Sequence, residues 1–270
     1  MSNNNIFNKT IDKSTYINAQ KTFDKFLKNN YDITNPKVEH KIKHTYNVVN
    51  NAKYISESLN LSDEDIYLSM IIALLHDIGR FEQAIKMKTF REDITNYDHA
   101  TLGVKLLFEE NEIRNYIETN AYDEIIKKAI GNHSKYILPE DDMNEKELLH
   151  AKIIRDADKI DSYRAKTVDD ITTMANISIS DIENSKITDT VYNDFMCEKT
   201  ILSKDRKTGI DIWVSYIAMV FGLYFDCSLK VIYENDYINK LFDRFDYKYD
   251  KEKMETLRNN ALRYLNNRLE

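Results

Sequence analysis

Turn-forming residues are almost missing from this chain, which has 5 glycines and 2 prolines among 270 residues. Sheet-rich and loop-rich folds need such residues at their tight turns, so their scarcity argues against both and predicts an all-α protein. Cysteine is equally rare. Cys197 and Cys227 stand far apart with no motif around them, which excludes a disulfide framework or a zinc knuckle. They are expected as small buried apolar side chains, in keeping with a reducing cytoplasm. No apolar run is long enough for a membrane. The longest, Ile212 to Phe225, falls short of the roughly 20 residues a spanning helix needs and reads as a buried helix. The opening MSNNNIFNKT has no apolar core, so no secretory leader is expected, a cytoplasmic location is, and about the first ten residues read as loose.

Positive charge is also in deficit. Lys and Arg number 38 against 45 Asp and Glu, for a formal charge of −7. An acidic chain repels nucleic acid at long range, which makes it a poor candidate partner, although bound metal could still create a positive pocket locally. What is present is 42% hydrophobic and 31% charged residues, the composition of a globular protein. The length suits one domain, 1–270.

Asn35-Pro36 reads as a helix start, with Asn as cap and Pro in the first turn, followed by Val38, Ile42, Val49, Ala52 and Leu59 at helical spacing. Ser62 caps a second helix whose first turn carries Asp63, Glu64 and Asp65, and IYLSMIIALLH should be almost wholly buried. Gly79 sits just past that helix, where a left-handed residue is often wanted. A polar connection is expected from about Phe81 to Tyr97, then helices at roughly 98–110, 122–134 and 146–157, with Gly131 and LPEDDMN marking the turn between the last two. Further helices are expected at 190–201, 210–226 and 250–268, and KVIYEND reads as helix more than strand.

The chain has 6 histidines, and four fall in a distinctive order with two aspartates: His44, His76-Asp77, His99, His133, Asp158. Each continues an apolar stripe. His44 shares a face with Val48 and Ile55, His99 with Leu102 and Leu106, His133 with Ile126 and Ile130, and Asp158 with Ala151 and Ile154. A single buried His is usually a hydrogen-bonded core residue. Five helices that each turn one such group inward would need a common partner, because unpaired buried polar groups are costly. A metal centre supplies one. Imidazole with carboxylate suits iron, manganese or zinc, and six ligands exceed the needs of one tetrahedral ion, which points to two ions with a bridging carboxylate.

The pattern H…HD…H…H…D, with LLHDIGRF at its centre, resembles the HD superfamily over about residues 36–165. Its dinuclear branch, which includes the HD-GYP cyclic-dinucleotide phosphodiesterases and the iron-dependent diadenosine tetraphosphate hydrolases, is the more similar. The resemblance implies an HD-domain helical bundle with a C-terminal helical extension over 166–270. IIRDADKID resembles the last motif of the diadenosine group and favours Asp158 over Asp156 as ligand. By this resemblance His44, His76, Asp77 and Asp158 hold one metal, and Asp77, His99 and His133 the second, with Asp77 bridging. Iron or manganese is the expected pair, with zinc, nickel, cobalt or magnesium as alternatives. The GYP signature is absent and Arg80 replaces the usual Lys after HDIG, which argues against cyclic di-GMP. SKDRKTGIDIW resembles only uncharacterised bacterial HD proteins.

The expected function is a metal-dependent phosphohydrolase acting on a nucleotide-like small molecule through a hydroxide activated by two ions. Two divalent ions less the charges of Asp77 and Asp158 leave about two positive charges for an anionic substrate. Asp77 and Arg80 are the candidate catalytic residues. Arg80 either binds phosphate or pairs with Glu82 or Asp93. Lys135, Asp161 and Arg206 are further candidate substrate contacts, set against plain surface roles; Asp161 could instead orient a ligand or water. His40 and His150 are expected at the surface or behind the ligands, and Trp213 in the core. An HD-fold mixed-valent di-iron oxygenase and a non-catalytic nucleotide-binding sensor stay open as alternatives.

Overall fold

The computed structural model describes residues 10–88, 97–172 and 177–270. The loose opening expected before Thr10, and the 89–96 part of the polar connection, lie outside the described residues. Every regular element described is helical, and none of these helices is long and apolar enough to cross a membrane. Two compact units meet in sequence between Asp158 and Lys159, inside the longest helix.

The first unit contains α1 (Lys13–Asn30), α2 (Pro36–Ser58), α3 (Asp63–Leu75), α4 (Ile78–Lys86), α5 (His99–Val104), α6 (Ile113–Tyr116), α7 (Asp123–Asn132) and most of α8 (Glu145–Val168). The sequence signals at the helix starts are physical caps. Asn35 accepts from the Lys37 N–H at 3.0 Å with Pro36 beside it, and Ser62 accepts from the Asp65 N–H at 3.2 Å. Helix α3 is buried on all sides from Leu68 to Leu75, and it packs against α1, α2 and α7. Each fully buried Leu or Ile there contributes about 1.5–3 kcal/mol. Asn51 of α2 donates to the Ala157 carbonyl of α8 at 3.0 Å, which ties those two helices together one residue before Asp158.

Several boundaries differ from expectation. The connection after Phe81 begins as helix, because α4 runs to Lys86. Gly79 lies inside α4, and no described glycine has a positive φ. It is required for closeness instead: a Cβ there would collide with the His99 carbonyl oxygen and reach the Gly103 N–H, where α4 meets α5. Gly131 likewise sits within α7 rather than in a turn. The 98–110 helix widens after Val104 into a π-helical turn, Lys105–Glu109.

The second unit, Lys159–Glu270, adds α9 (Ile179–Glu183), α10 (Asp189–Met196), α11 (Gly209–Ile217), α12 (Asp226–Glu234), α13 (Tyr237–Phe242) and α14 (Lys251–Leu269) to the end of α8. Its core holds Trp213, Tyr163, Phe195 and Phe242. Trp213 is the expected anchor, and its indole N–H donates to Tyr247 Oη at 3.0 Å. The apolar run from Ile212 is not one helix. It breaks at Ile217, whose carbonyl accepts from the Tyr163 hydroxyl, and passes through a 3-10 turn, Ala218–Gly222. KVIYEND lies largely in α12, as helix. The cysteines are not buried: Cys197 ends α10 at an exposed position and Cys227 is half-buried in the first turn of α12.

Candidate metal centre

Five helices of the first unit bring His44, His76, Asp77, His99, His133 and Asp158 to one place. His44 lies mid-way along α2 on the buried face that also carries Val38, Lys41, Thr45 and Val48. His76 caps the end of α3 and Asp77 the start of α4, so the pair forms the two-residue joint between them. His99 opens α5 behind the cap Asp98, which accepts from the Ala100 and Thr101 N–H groups. His133 ends α7, and Asp158 comes from α8.

Helix ends set two of the tautomers. His76 donates its Nδ1–H to the Ala73 carbonyl, and His133 donates its own to the Ile130 carbonyl, each at 2.7 Å. A carbonyl only accepts, so Nδ1 carries the proton in both rings and Nε2 presents a lone pair. The acceptors are last-turn carbonyls, which a helix leaves unsatisfied. His76 is fully buried, and its Nε2 has no hydrogen-bond partner among the described residues.

Asp77 lies between the rings. Its Oδ2 is 3.5 Å from Nε2 of His44 and of His76, while its Oδ1 is 3.1 Å from His99 Nε2 and 3.6 Å from His133 Nε2. Asp158 Oδ1 is 3.2 Å from His44 Nε2. The Nε2 atoms of His99 and His133 are 2.9 Å apart. Ligands bound about 2.1 Å from one ion at right angles lie roughly 3 Å apart, so these separations match shared coordination. Three overlapping groups among the described residues could each hold an ion: His44 with His76 and Asp77, His76 with His133 and Asp158, and Asp77 with His99 and His133. The orphaned His76 nitrogen and the donor spacing both fit the metal chemistry.

The electrostatics favour the same forms. Burial pushes the His76 imidazole down to about 3, against the opposing pull of Asp77, so it is neutral at physiological pH. Burial acts to raise Asp77, but the Lys41 cation first, then the His76 ring and the hydrogen bonds of His133 and His44, outweigh it and hold the carboxyl well below its ordinary value. Asp158 is lowered too, because His44 overcomes the effect of burial. Neutral imidazoles and ionised carboxylates are what a divalent cation requires.

The remaining expected residues divide. Arg80 places Nε 3.6 Å from Asp77 Oδ1 and donates through Nη1 to Gln83 at 2.6 Å. Glu82 pairs with Lys86 instead, and Asp93 lies outside the described residues. Lys135 is exposed, and its backbone carbonyl accepts from Arg155 at 2.6 Å. Asp161 and Arg206 belong to the second unit. Asp161 is buried against Arg164 at 2.5 Å, and Arg206 is half-exposed beside the Ser203 carbonyl. His150 is neither exposed nor among the ligands: it is buried between Ser69 Oγ at 3.0 Å and Asp65 Oδ1 at 3.1 Å. His40 is half-buried one turn before His44.

Two residues escaped the sequence reading. Lys41 is buried and donates to Asp77 Oδ2 at 2.6 Å. Its signal was a cation on the apolar stripe of α2, one turn before His44. Arg155 is buried in α8 and donates to the carbonyls of Asn132, His133 and Lys135, closing the end of α7 that carries His133. Its signal was its place in IIRDADKID, one turn before Asp158.

The family model for the HD domain matches residues 42–163, a span that contains all six clustered residues. No curated protein and no solved structure matches the chain. Residues 42–163 are thus an HD domain, a fold of the metal-dependent phosphohydrolase type, and further helices follow it.

Proposed function

We propose that this chain is a metal-dependent phosphohydrolase whose centre takes two divalent ions and acts on a phosphorylated, nucleotide-like small molecule. The observation that carries the reading is the division of Asp77: one oxygen faces His44 and His76, the other faces His99 and His133. A carboxylate so placed suits a bridge. His44, His76, Asp77 and Asp158 would hold one ion, and Asp77, His99 and His133 the other. Iron or manganese suits this donor set.

Bound there, the ions would supply Lewis-acid activation of water and neutralise charge on phosphoryl oxygens. The chain supplies the rest. Asp77 fixes the spacing of the two groups of ligands. The Nδ1–H bonds of His76 and His133 hold both rings with their lone pairs turned to the centre. Arg80, beside Asp77 and partly accessible, is positioned to donate through its guanidinium to a phosphoryl oxygen. Two carboxylates against two divalent ions leave a net positive site, which suits a phosphate ester.

The test is a panel of nucleoside mono- and triphosphates, dinucleoside polyphosphates and cyclic dinucleotides, assayed with added Mn²⁺ or Fe²⁺. Phosphate release or diester cleavage that disappears in Asp77→Ala is expected. An Asp77→Ala protein with full metal and full activity would contradict the reading, as would oxygen consumption by the iron-loaded protein with no phosphate released.

A further inference from the structure

The least covered side chains of the cluster include two cations. The histidine side chains and Asp77 are almost fully covered, whereas Asp158, Arg80 and Lys41 keep 31%, 15% and 11% of their side chains exposed. Two are cations, and they flank Asp77 from its two oxygens: Lys41 Nζ at 2.6 Å from Oδ2, Arg80 Nε at 3.6 Å from Oδ1.

Asp77's charge, which Lys41 and Arg80 now share, would be drawn to the ions when both oxygens become ligands. Two divalent ions with Lys41 and Arg80 bring six positive charges, and Asp77 with Asp158 remove two, leaving about four. A buried surplus of that size needs anions. A hydroxide offsets one charge. The single charge of a diester phosphate leaves the surplus larger than the double charge of a terminal phosphate does. We infer that Lys41, with Arg80, is a phosphate-contacting residue that fits this centre to a dianionic terminal phosphate, as in a phosphomonoester or the end of a polyphosphate, over the monoanionic phosphate of a diester. The inference rests on the phosphohydrolase reading.

Calorimetric titration of the manganese-loaded full chain with inorganic phosphate and with dimethyl phosphate tests it, at about pH 8, above the second ionisation of a phosphate group. Phosphate should bind more tightly than dimethyl phosphate. Lys41→Gln should narrow that preference by about ten-fold, the worth of one charged hydrogen bond, with metal content unchanged. Lys41→Arg, which keeps the charge, should retain most of the preference. An unchanged preference in Lys41→Gln overturns the inference. So does loss of an ion from that variant, which would make Lys41 a support of the metal site. Phosphomonoester hydrolysis with a Lys41-independent preference sinks only this inference. A Lys41-dependent preference in a protein that releases no phosphate from any ester sinks the phosphohydrolase reading and leaves the anion site standing.

Discussion

His76 shows how one residue couples folding to the centre. Its folded value, about 3, lies below the ordinary 6.5, so the unfolded chain takes up the proton first. Its contribution to the stability of metal-free protein is complete above pH 6.5 and is lost as pH falls toward about 3. Asp77 and Asp158 act with the same sign, losing their contribution below the ordinary 3.8. Denaturant midpoints of metal-free protein should therefore fall steadily from pH 6.5 downward, and a flat profile to pH 4 would contradict the assignment. Arg155→Met should cost about 1–3 kcal/mol, because it leaves the carbonyls at the end of α7 without their guanidinium. It should also weaken the ion assigned to His99 and His133 more than the other, as metal titration would show. The ligand types and their order were legible in sequence because each interrupts an apolar stripe with a group that needs a partner. Lys41 and Arg155 interrupt stripes as well, but a lone cation there reads as a surface charge until its acceptor, thirty-six residues away for Lys41, is known.

Helices α4 and α5 meet through Gly79, and that contact sets the distance between Asp77 and His99. Gly79→Ala should destabilise by about 1–3 kcal/mol, since the obstacle is the His99 backbone and cannot swing aside. Gly131→Ala is the contrast. Its Cβ would meet only Val104 Cγ2 at 3.3 Å, within a helix, so thermal denaturation should place it near neutral or up to about 1 kcal/mol more stable. Equal losses for the two would refute the close-approach account. Caps at Asn35 and Ser62 were readable because the bond is local, two or three residues along the chain. Gly79 was misread because a left-handed turn and a backbone crossing ask for the same residue. The break at Ile217 left no trace in sequence, since the apolar pattern runs on to Phe225 and the hydroxyl that takes the Ile217 carbonyl comes from Tyr163.

For the molecule as a whole, the scarcity of glycine and proline was sufficient to give the helical class, and the ordered His and Asp residues gave the HD domain. SKDRKTGIDIW carried no legible role, and part of it serves to hold the second unit together. Asp211 is buried and accepts from the backbone N–H groups of Thr188, Lys207 and Thr208, and a Cβ on Gly209 would strike the Asp181 carbonyl. A cluster of imidazoles and ionised carboxylates also predicts that metal stabilises the fold. At a hundred-fold excess over its dissociation constant, one ion should add about 2.7 kcal/mol, raise the melting temperature, and be reversed by chelator. The most direct measurement is metal stoichiometry of the wild-type chain and of His99→Ala, taken by elemental analysis after saturation with Mn²⁺ or Fe²⁺. The two-ion account predicts two ions per chain in the wild type and one in His99→Ala. A single ion in the wild type, or two retained without His99, would contradict it.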